Sequence, residues 1–206
     1  MNIKTIKGIY DSNTYVIEQD GVCIMVEAGT GIAGVKKALS GKTPEAIFLT
    51  HEHFDHTYHL NEYMTAFPTA KVYCHPATVT ELETGDFNNA IAPFTGYPVA
   101  VPKSFKNIHA MTDGQILNIG PFEISAIFSP GHSHGCVVYL INNQLFTGDV
   151  LFRTSVGRQD LIPNGPALMQ QTLRMLQKIK FETCYNGHSE QSTYAQQQKN
   201  IADHLE

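Results

Sequence analysis

No apolar run in this chain approaches the roughly 20 residues that a membrane span needs. Its N-terminus also lacks the basic-then-apolar layout of a signal peptide, because Asn2, Lys4, Lys7 and Asp11 interrupt every short run. A cytoplasmic protein without a membrane partner is therefore expected. Basic residues are in deficit, 14 Lys and Arg against 19 Asp and Glu, for a net charge of −5. Nucleic-acid affinity leans on clustered Lys and Arg, so a nucleic-acid partner is not expected either. Cysteine is scarce: Cys23, Cys74, Cys136 and Cys184 are widely spaced, with no Cys-x-x-Cys. Buried thiols are expected rather than disulfides or zinc thiolates, although Cys136 sits close to His132. Linkers, low-complexity tracts and obvious repeats are also missing. With 42% hydrophobic and 16% charged residues, 206 residues suit one globular domain spanning 1–206. The sequence carries no signal of oligomeric state.

What the chain does have is Thr50-His51-Glu52-His53-Phe54-Asp55-His56, four potential metal ligands within six residues. They follow the apolar run Ala46-Ile47-Phe48-Leu49, which reads as a short buried strand. Strand ends open into the crevices where sheet proteins place ligands. In an extended segment alternate residues share a face, so His51, His53 and Asp55 are expected to project together. His56 breaks the alternation and would serve a second ion.

Three later pieces fit the same chemistry. Ser129-Pro130-Gly131-His132 ends the alternating stretch 122–128, Phe146-Thr147-Gly148-Asp149 ends another apolar strand, and Tyr185-Asn186-Gly187-His188 ends a last one. Each puts a His or Asp in a turn after a predicted strand, beside a Gly. Alone, each is an ordinary turn. In this order the set is specific.

His-x-His-x-Asp-His, then a lone His, a Gly-Asp and a final Gly-His, resembles the metallo-β-lactamase superfamily over essentially the whole chain. The strand Ser12 to Ile17 and the turn Glu27-Ala28-Gly29, where relatives usually read Asp-Pro-Gly, belong to the resemblance. Gly157-Arg158-Gln159-Asp160-Leu161 narrows it to the hydroxyacylglutathione hydrolase (glyoxalase II) branch, with Gln159 where Thr is usual. The resemblance implies an α+β, four-layer αββα sandwich; the sequence pattern alone says only α/β or α+β. It also implies a short form without the C-terminal helical domain of glutathione-dependent relatives.

Carried over by residue, the resemblance gives one metal to His51, His53 and His132 and the other to Asp55, His56 and His188, with Asp149 bridging. Two divalent ions are implied, Zn first, with Fe or Mn compatible with the same N and O donors. Asp55 and Asp149 are the candidate catalytic carboxylates. The implied reaction is hydrolysis of a small-molecule thioester such as S-D-lactoylglutathione by a metal-bridging hydroxide, with no covalent acyl intermediate. One rival is a mononuclear iron persulfide dioxygenase using His51, His132 and Asp149. Another is a lactonase or other ester hydrolase on the same fold.

Arg158, Tyr97 and Lys103 are candidate substrate-binding residues. For Arg158 the alternative, an ion pair with Asp160 bracing the loop, is the preferred reading. Residues 84–106, rich in Gly, Pro and aromatics, read as a long irregular loop that is functional or a packed excursion. His59 and His75 read as structural, and His134, two residues from His132, is not expected to be a ligand. Strands are expected at 2–7, 12–18, 22–27, 72–74, 115–119, 122–128, 136–142, 144–147 and 181–185. Helices are expected at 32–39, 56–67, 77–82, 166–179 and from about 191.

Overall fold

The structure, a computed structural model, describes residues 1–98 and 101–205; Val99 and Ala100, part of the 84–106 segment, and Glu206 lie outside the described residues. The chain divides into two compact units, Met1–Met111 and Thr112–Glu206.

The first unit carries one six-stranded mixed sheet in the order β1 (Asn2–Lys7), β2 (Asn13–Gln19), β3 (Val22–Val26), β4 (Ala46–Phe48), β5 (Lys71–Cys74), β6 (Ile108–Ala110). β1, β2 and β3 are antiparallel, and β3 to β6 are parallel. The β2–β3 hairpin turns at Asp20 and Gly21, both at positive φ, the conformation of the tight hairpin turns. Parallel strands need crossovers, and helices supply them: α1 (Ile32–Leu39) before β4, α2 (Phe54–Thr57) and α3 (Leu60–Ala66) before β5, α4 (Pro76–Thr84) and α5 (Asp86–Thr95) before β6. β4 is fully buried, as a central parallel strand should be. Val35 and Leu39 of α1 pack with Leu60 and Tyr63 of α3 over Met25, Ile47 and Val72 of the sheet.

The second unit holds β7 (Ile116–Ile119), β8 (Phe122–Phe128), β9 (Val137–Ile141), β10 (Gln144–Gly148), β11 (Thr183–Asn186) and β12 (Ser192–Thr193), ordered β12-β11-β10-β9-β8-β7. β7 to β10 form an antiparallel meander. α6 (Gly165–Leu176) then crosses over so that β11 runs parallel to β10, and α7 (Tyr194–Leu205) closes the unit. Met169, Leu173 and Leu176 of α6 bury against Val138, Leu145 and Cys184.

Most expected elements are present within a residue or three. The clearest departure is 84–106: Asp86–Thr95 is helical despite the internal Pro93, bounded by Gly85 and Gly96 in the left-handed region. The Glu81 carboxylate accepts from the backbone N–H of Phe87 and of Asn88, satisfying donors that a helix start leaves open. The short strands β6 and β12 carry too little alternation to announce themselves. No helix among the described residues is long and apolar enough to cross a membrane.

Candidate metal centre

In the first unit the donors gather at the C-terminal ends of adjacent parallel strands. Glu27 follows β3 and His51 follows β4, and the two segments are stitched by Glu27 N–H to Phe48 O at 2.9 Å and Ala28 N–H to His56 O at 2.7 Å. The strand stops at Phe48, and His53 caps the short helix α2, so Asp55 and His56 lie in a helical turn. This corrects the expected extended alternation through Asp55: His53 ends the extended stretch, and helical spacing separates His53, Asp55 and His56. The turn is anchored where Ser12 Oγ donates to Asp55 O at 2.8 Å. A Cβ on Gly29 would lie 1.9 Å from that same carbonyl oxygen, so only glycine lets the chain pass.

The motif is buried: His51 and His56 are inaccessible, and His53 and Asp55 nearly so. The His51 ring lies 4.5 Å from that of His53 and 4.3 Å from that of His56, centroid to centroid. His56 Nε2 faces Asp55 Oδ2 at 3.4 Å, while its Nδ1 faces Glu27 Oε1 at 3.3 Å. Glu27 also accepts from Thr50 N–H at 3.3 Å and from the Thr50 hydroxyl, which in turn lies 3.0 Å from His51 Nδ1. One carboxylate, 1% exposed and on a residue at φ 73°, thus lies beside His56 Nδ1 directly and reaches His51 Nδ1 through the Thr50 hydroxyl, on the side of each ring away from Nε2. Glu27, His51 and His56 present donor atoms within 4.8 Å of one another. Because His56 meets Glu27 through Nδ1, Glu27 orients the histidines rather than completing a ligand set with their Nε2 atoms.

In the second unit β8, β10 and β11 run the same way, so His132, Asp149 and His188 leave one edge of the sheet. Asp149 Oδ2 lies 3.6 Å from His132 Nε2 and 3.3 Å from His188 Nε2. Asn186 pins the last turn: its Oδ1 accepts from the backbone N–H of His188 and of Ser189, and its Nδ2 donates to Glu190 O. His132 Nδ1 lies 3.1 Å from Arg158 O.

The donor set is imidazole nitrogen and carboxylate oxygen, a chemistry that suits a divalent ion such as Zn²⁺, Fe²⁺ or Mn²⁺. All four cysteines are buried thiols outside any disulfide, and among the described residues none joins a cluster of donors. Cys136 instead places Sγ 3.2 Å from Ser133 Oγ. Burial pushes the Cys23 thiol up to about 11 and those of Cys74 and Cys184 up to about 12. His134 is exposed and in no such cluster. His59 pairs with Glu62 at 3.0 Å, and His75 accepts from Ala77 N–H at the start of α4, both structural uses.

The substrate candidates separate. Tyr97 joins a wall of rings: it stacks on Phe54 at 5.6 Å and meets Tyr58 edge-on at 5.2 Å and Tyr10 at 5.7 Å. Phe87 stacks on His53 at 4.4 Å, and Tyr10 (55%) and Phe94 (88%) stand exposed. Arg158 is taken by Asp160 through two parallel 2.8 Å bonds, which hold the Asp160 carboxyl down at about 2. Lys103 lines a cleft of about 270 Å³ with Lys106 and with Asn61, Met64 and Thr65 of α3, and no residue of 51–56 lines it.

A model of the metallo-beta-lactamase superfamily matches residues 8–188. The chain belongs to this superfamily. It is 34% identical over 159 residues, 75% of this chain and 73% of the relative, to a probable metallo-hydrolase, YqgX, of Bacillus subtilis. It is 31% identical over 186 residues to the hydroxyacylglutathione hydrolase of Salmonella typhi, spanning 89% of this chain but only 63% of that relative. Among solved structures it is similar to the B3 metallo-beta-lactamase BLEG-1, with 31% identity, a TM-score of 0.85, and 96% and 97% of the two chains covered. TTHA1623, solved in a di-iron-bound form, gives 27% identity, a TM-score of 0.80, and 97% and 98% coverage. The metallo-beta-lactamase fold expected from the motif is thus the fold of this chain. Within that family frame, sequence reasoning noticed Glu27 only as a departure from Asp-Pro-Gly and missed its hold on Thr50 and His56. A buried acid directly after a parallel strand was the available signal.

Proposed function

We propose that the protein is a metal-dependent hydrolase with two divalent ions, acting on thioesters in the manner of hydroxyacylglutathione hydrolases. His51, His53 and His132 would hold one ion, Asp55, His56 and His188 the other, and Asp149 both. The observation that carries this reading is Asp149, a buried carboxylate whose Oδ2 faces Nε2 of both His132 and His188. A buried carboxylate beside two imidazole nitrogens suits a residue that would serve both ions. Bound divalent ions supply a Lewis acid for a carbonyl oxygen and a water acidified toward neutrality.

The protein's own part is to hold geometry and exclude water. Glu27 and Thr50 orient His51 and His56. Asp55 Oδ2, beside His56 Nε2, would orient the nucleophilic water and take up its proton. The wall of Tyr10, Phe54 and Tyr97 offers apolar area to the carbon skeleton of a substrate at small entropic cost. Hydrolysis adds water across the C–S bond, and a thiolate with a pKa of about 8.5 leaves without a strong acid. The thiol carrier rests on the Gly157 to Leu161 segment and on the relatives' activity.

Metal analysis combined with a substrate panel tests the proposal. Two ions per chain and turnover of S-D-lactoylglutathione or another acyl thioester are expected. One iron per chain with oxygen consumption on a persulfide would replace the reading with the dioxygenase. Turnover of a chromogenic cephalosporin alone would favour a lactamase, as the 31% identity to BLEG-1 allows.

A further inference from the structure

We infer that the main-chain carbonyl of Arg158, brought to His132 by the side-chain-less Gly157, is the group that fixes His132 in its Nδ1–H tautomer. Arg158 would then serve through its backbone, not its guanidinium. The inference rests on His132 being a metal ligand but not on the identity of the substrate.

The geometry begins at Asp149. Beyond it the chain doubles back: Leu151 bridges Val156, Phe152 N–H donates to Ser155 O at 2.9 Å, and Gly157 N–H donates to Val150 O at 3.2 Å. Gly157 is therefore pressed, buried, between the two ligand-bearing segments. A Cβ there would stand 1.8 Å from Asp149 O and 3.1 Å from His132 Nδ1. Contacts under about 3 Å require something to move, and the nearer atom is backbone. Glycine alone lets the next carbonyl arrive beside the imidazole, where Arg158 O lies 3.1 Å from His132 Nδ1.

A carbonyl oxygen can only accept, so the nitrogen facing it must carry the proton. That leaves the lone pair on Nε2, the atom facing Asp149 Oδ2 at 3.6 Å, beyond hydrogen-bond range. A metal ligand needs this tautomer, and the partner of its other nitrogen selects it. The Arg158 side chain is occupied elsewhere, in its exposed two-bond pair with Asp160. The same residue thus shows its carbonyl to the ligand and its charge to solvent.

The test compares Gly157→Ala with Arg158→Ala in the full chain. Two-bond ¹H–¹⁵N spectra of the metal-free protein report the His132 tautomer, chelator competition reports zinc affinity, and circular dichroism reports folding. The wild type is expected to show Nδ1–H. Gly157→Ala should lose that signature and bind zinc about tenfold to a hundredfold more weakly. Arg158→Ala, which keeps the carbonyl, should match the wild type in both. An Nε2–H tautomer in the wild type overturns the inference, as does wild-type zinc affinity in Gly157→Ala, or an equal loss in Arg158→Ala. Should Gly157→Ala fail to fold, replacing Gln159 by its α-hydroxy acid turns the Arg158 carbonyl into a weaker ester acceptor without adding an atom. Weaker zinc binding then supports the inference, and unchanged binding overturns it. A wild type with Nδ1–H that binds no metal would sink the two-metal reading while leaving the tautomer assignment standing.

Discussion

Glu27→Gln changes one atom and should cost most of an order of magnitude or more in metal affinity. The Glu27 carboxylate faces three groups: Thr50 N–H at Oε2, and the Thr50 hydroxyl and His56 Nδ1 at Oε1. An amide has one acceptor and one donor end, so it cannot serve both sides. With NH₂ toward Thr50 N–H, two donors oppose each other in a site 1% exposed, a penalty of about 1–3 kcal/mol. With NH₂ toward His56, the imidazole must give up its Nδ1 proton and place it on Nε2, the atom a metal needs. Either way the loss falls on ligand orientation, and outer partners of ligating histidines are worth about tenfold to a hundredfold in affinity. That is about 1.4–2.7 kcal/mol, the same scale as the hydrogen-bond argument. Zinc titration against a competing chelator reads the affinity, and thermal unfolding of the metal-free protein controls for folding. Wild-type affinity in Glu27→Gln would refute the orienting role. A large loss of metal-free stability with unchanged affinity would assign Glu27 to the fold instead.

Three further outcomes are expected. Asp149→Ala should abolish activity and lower metal content below two per chain; two retained metals with full activity would rule out the bridge. Tyr97→Ala combined with Tyr10→Ala should raise KM for a large acyl thioester severalfold, leaving metal content and turnover of a small activated thioester unchanged. An unmoved KM would make the aromatic wall mere surface packing. The buried thiols predict alkaline destabilisation: their folded values, about 11 for Cys23 and about 12 for Cys74 and Cys184, lie above the ordinary 9.0. The unfolded chain therefore releases protons first as pH rises. Stability held below pH 9 should fall between pH 9 and 12, by up to about 1.4 kcal/mol per pH unit for each thiol. Urea unfolding across that range should show a shallower decline in Cys184→Ala, and an unchanged slope would contradict it.

Much of the fold was legible because strong periodicities coincide with strong stops. Ile32–Leu39 is helical as expected, between Gly31 and a left-handed Ser40 followed by Gly41. The hairpin at Asp20-Gly21 and the turn at Asn142-Asn143 follow the local chemistry of residues that tolerate positive φ. Residues 84–106 were misjudged because three prolines and two glycines outweighed a weak apolar pattern. What makes 86–95 helical is not local to it: Glu81, five residues before Asp86, supplies the acceptor that its first turn lacks.

At the candidate site, legibility divides along a physical line. The seven candidates are all His or Asp, and strand ends are where such residues stand out, so they could be named from residue type and spacing. The groups that aim them carry no such mark. Thr50 acts as a relay between His51 and Glu27, Ser12 reaches across 43 residues to hold Asp55 O, and Arg158 offers an atom every residue owns. Gly29 and Gly157 contribute by what they lack, and their meaning exists only once another carbonyl lies within 2 Å of where a Cβ would be. A backbone acceptor also survives most substitutions of its own side chain, so alanine replacement at Arg158 is predicted to miss it while replacement at Gly157 finds it. Variant series that alter only the donor residues would therefore map where the metals bind without revealing what makes each imidazole present the correct nitrogen.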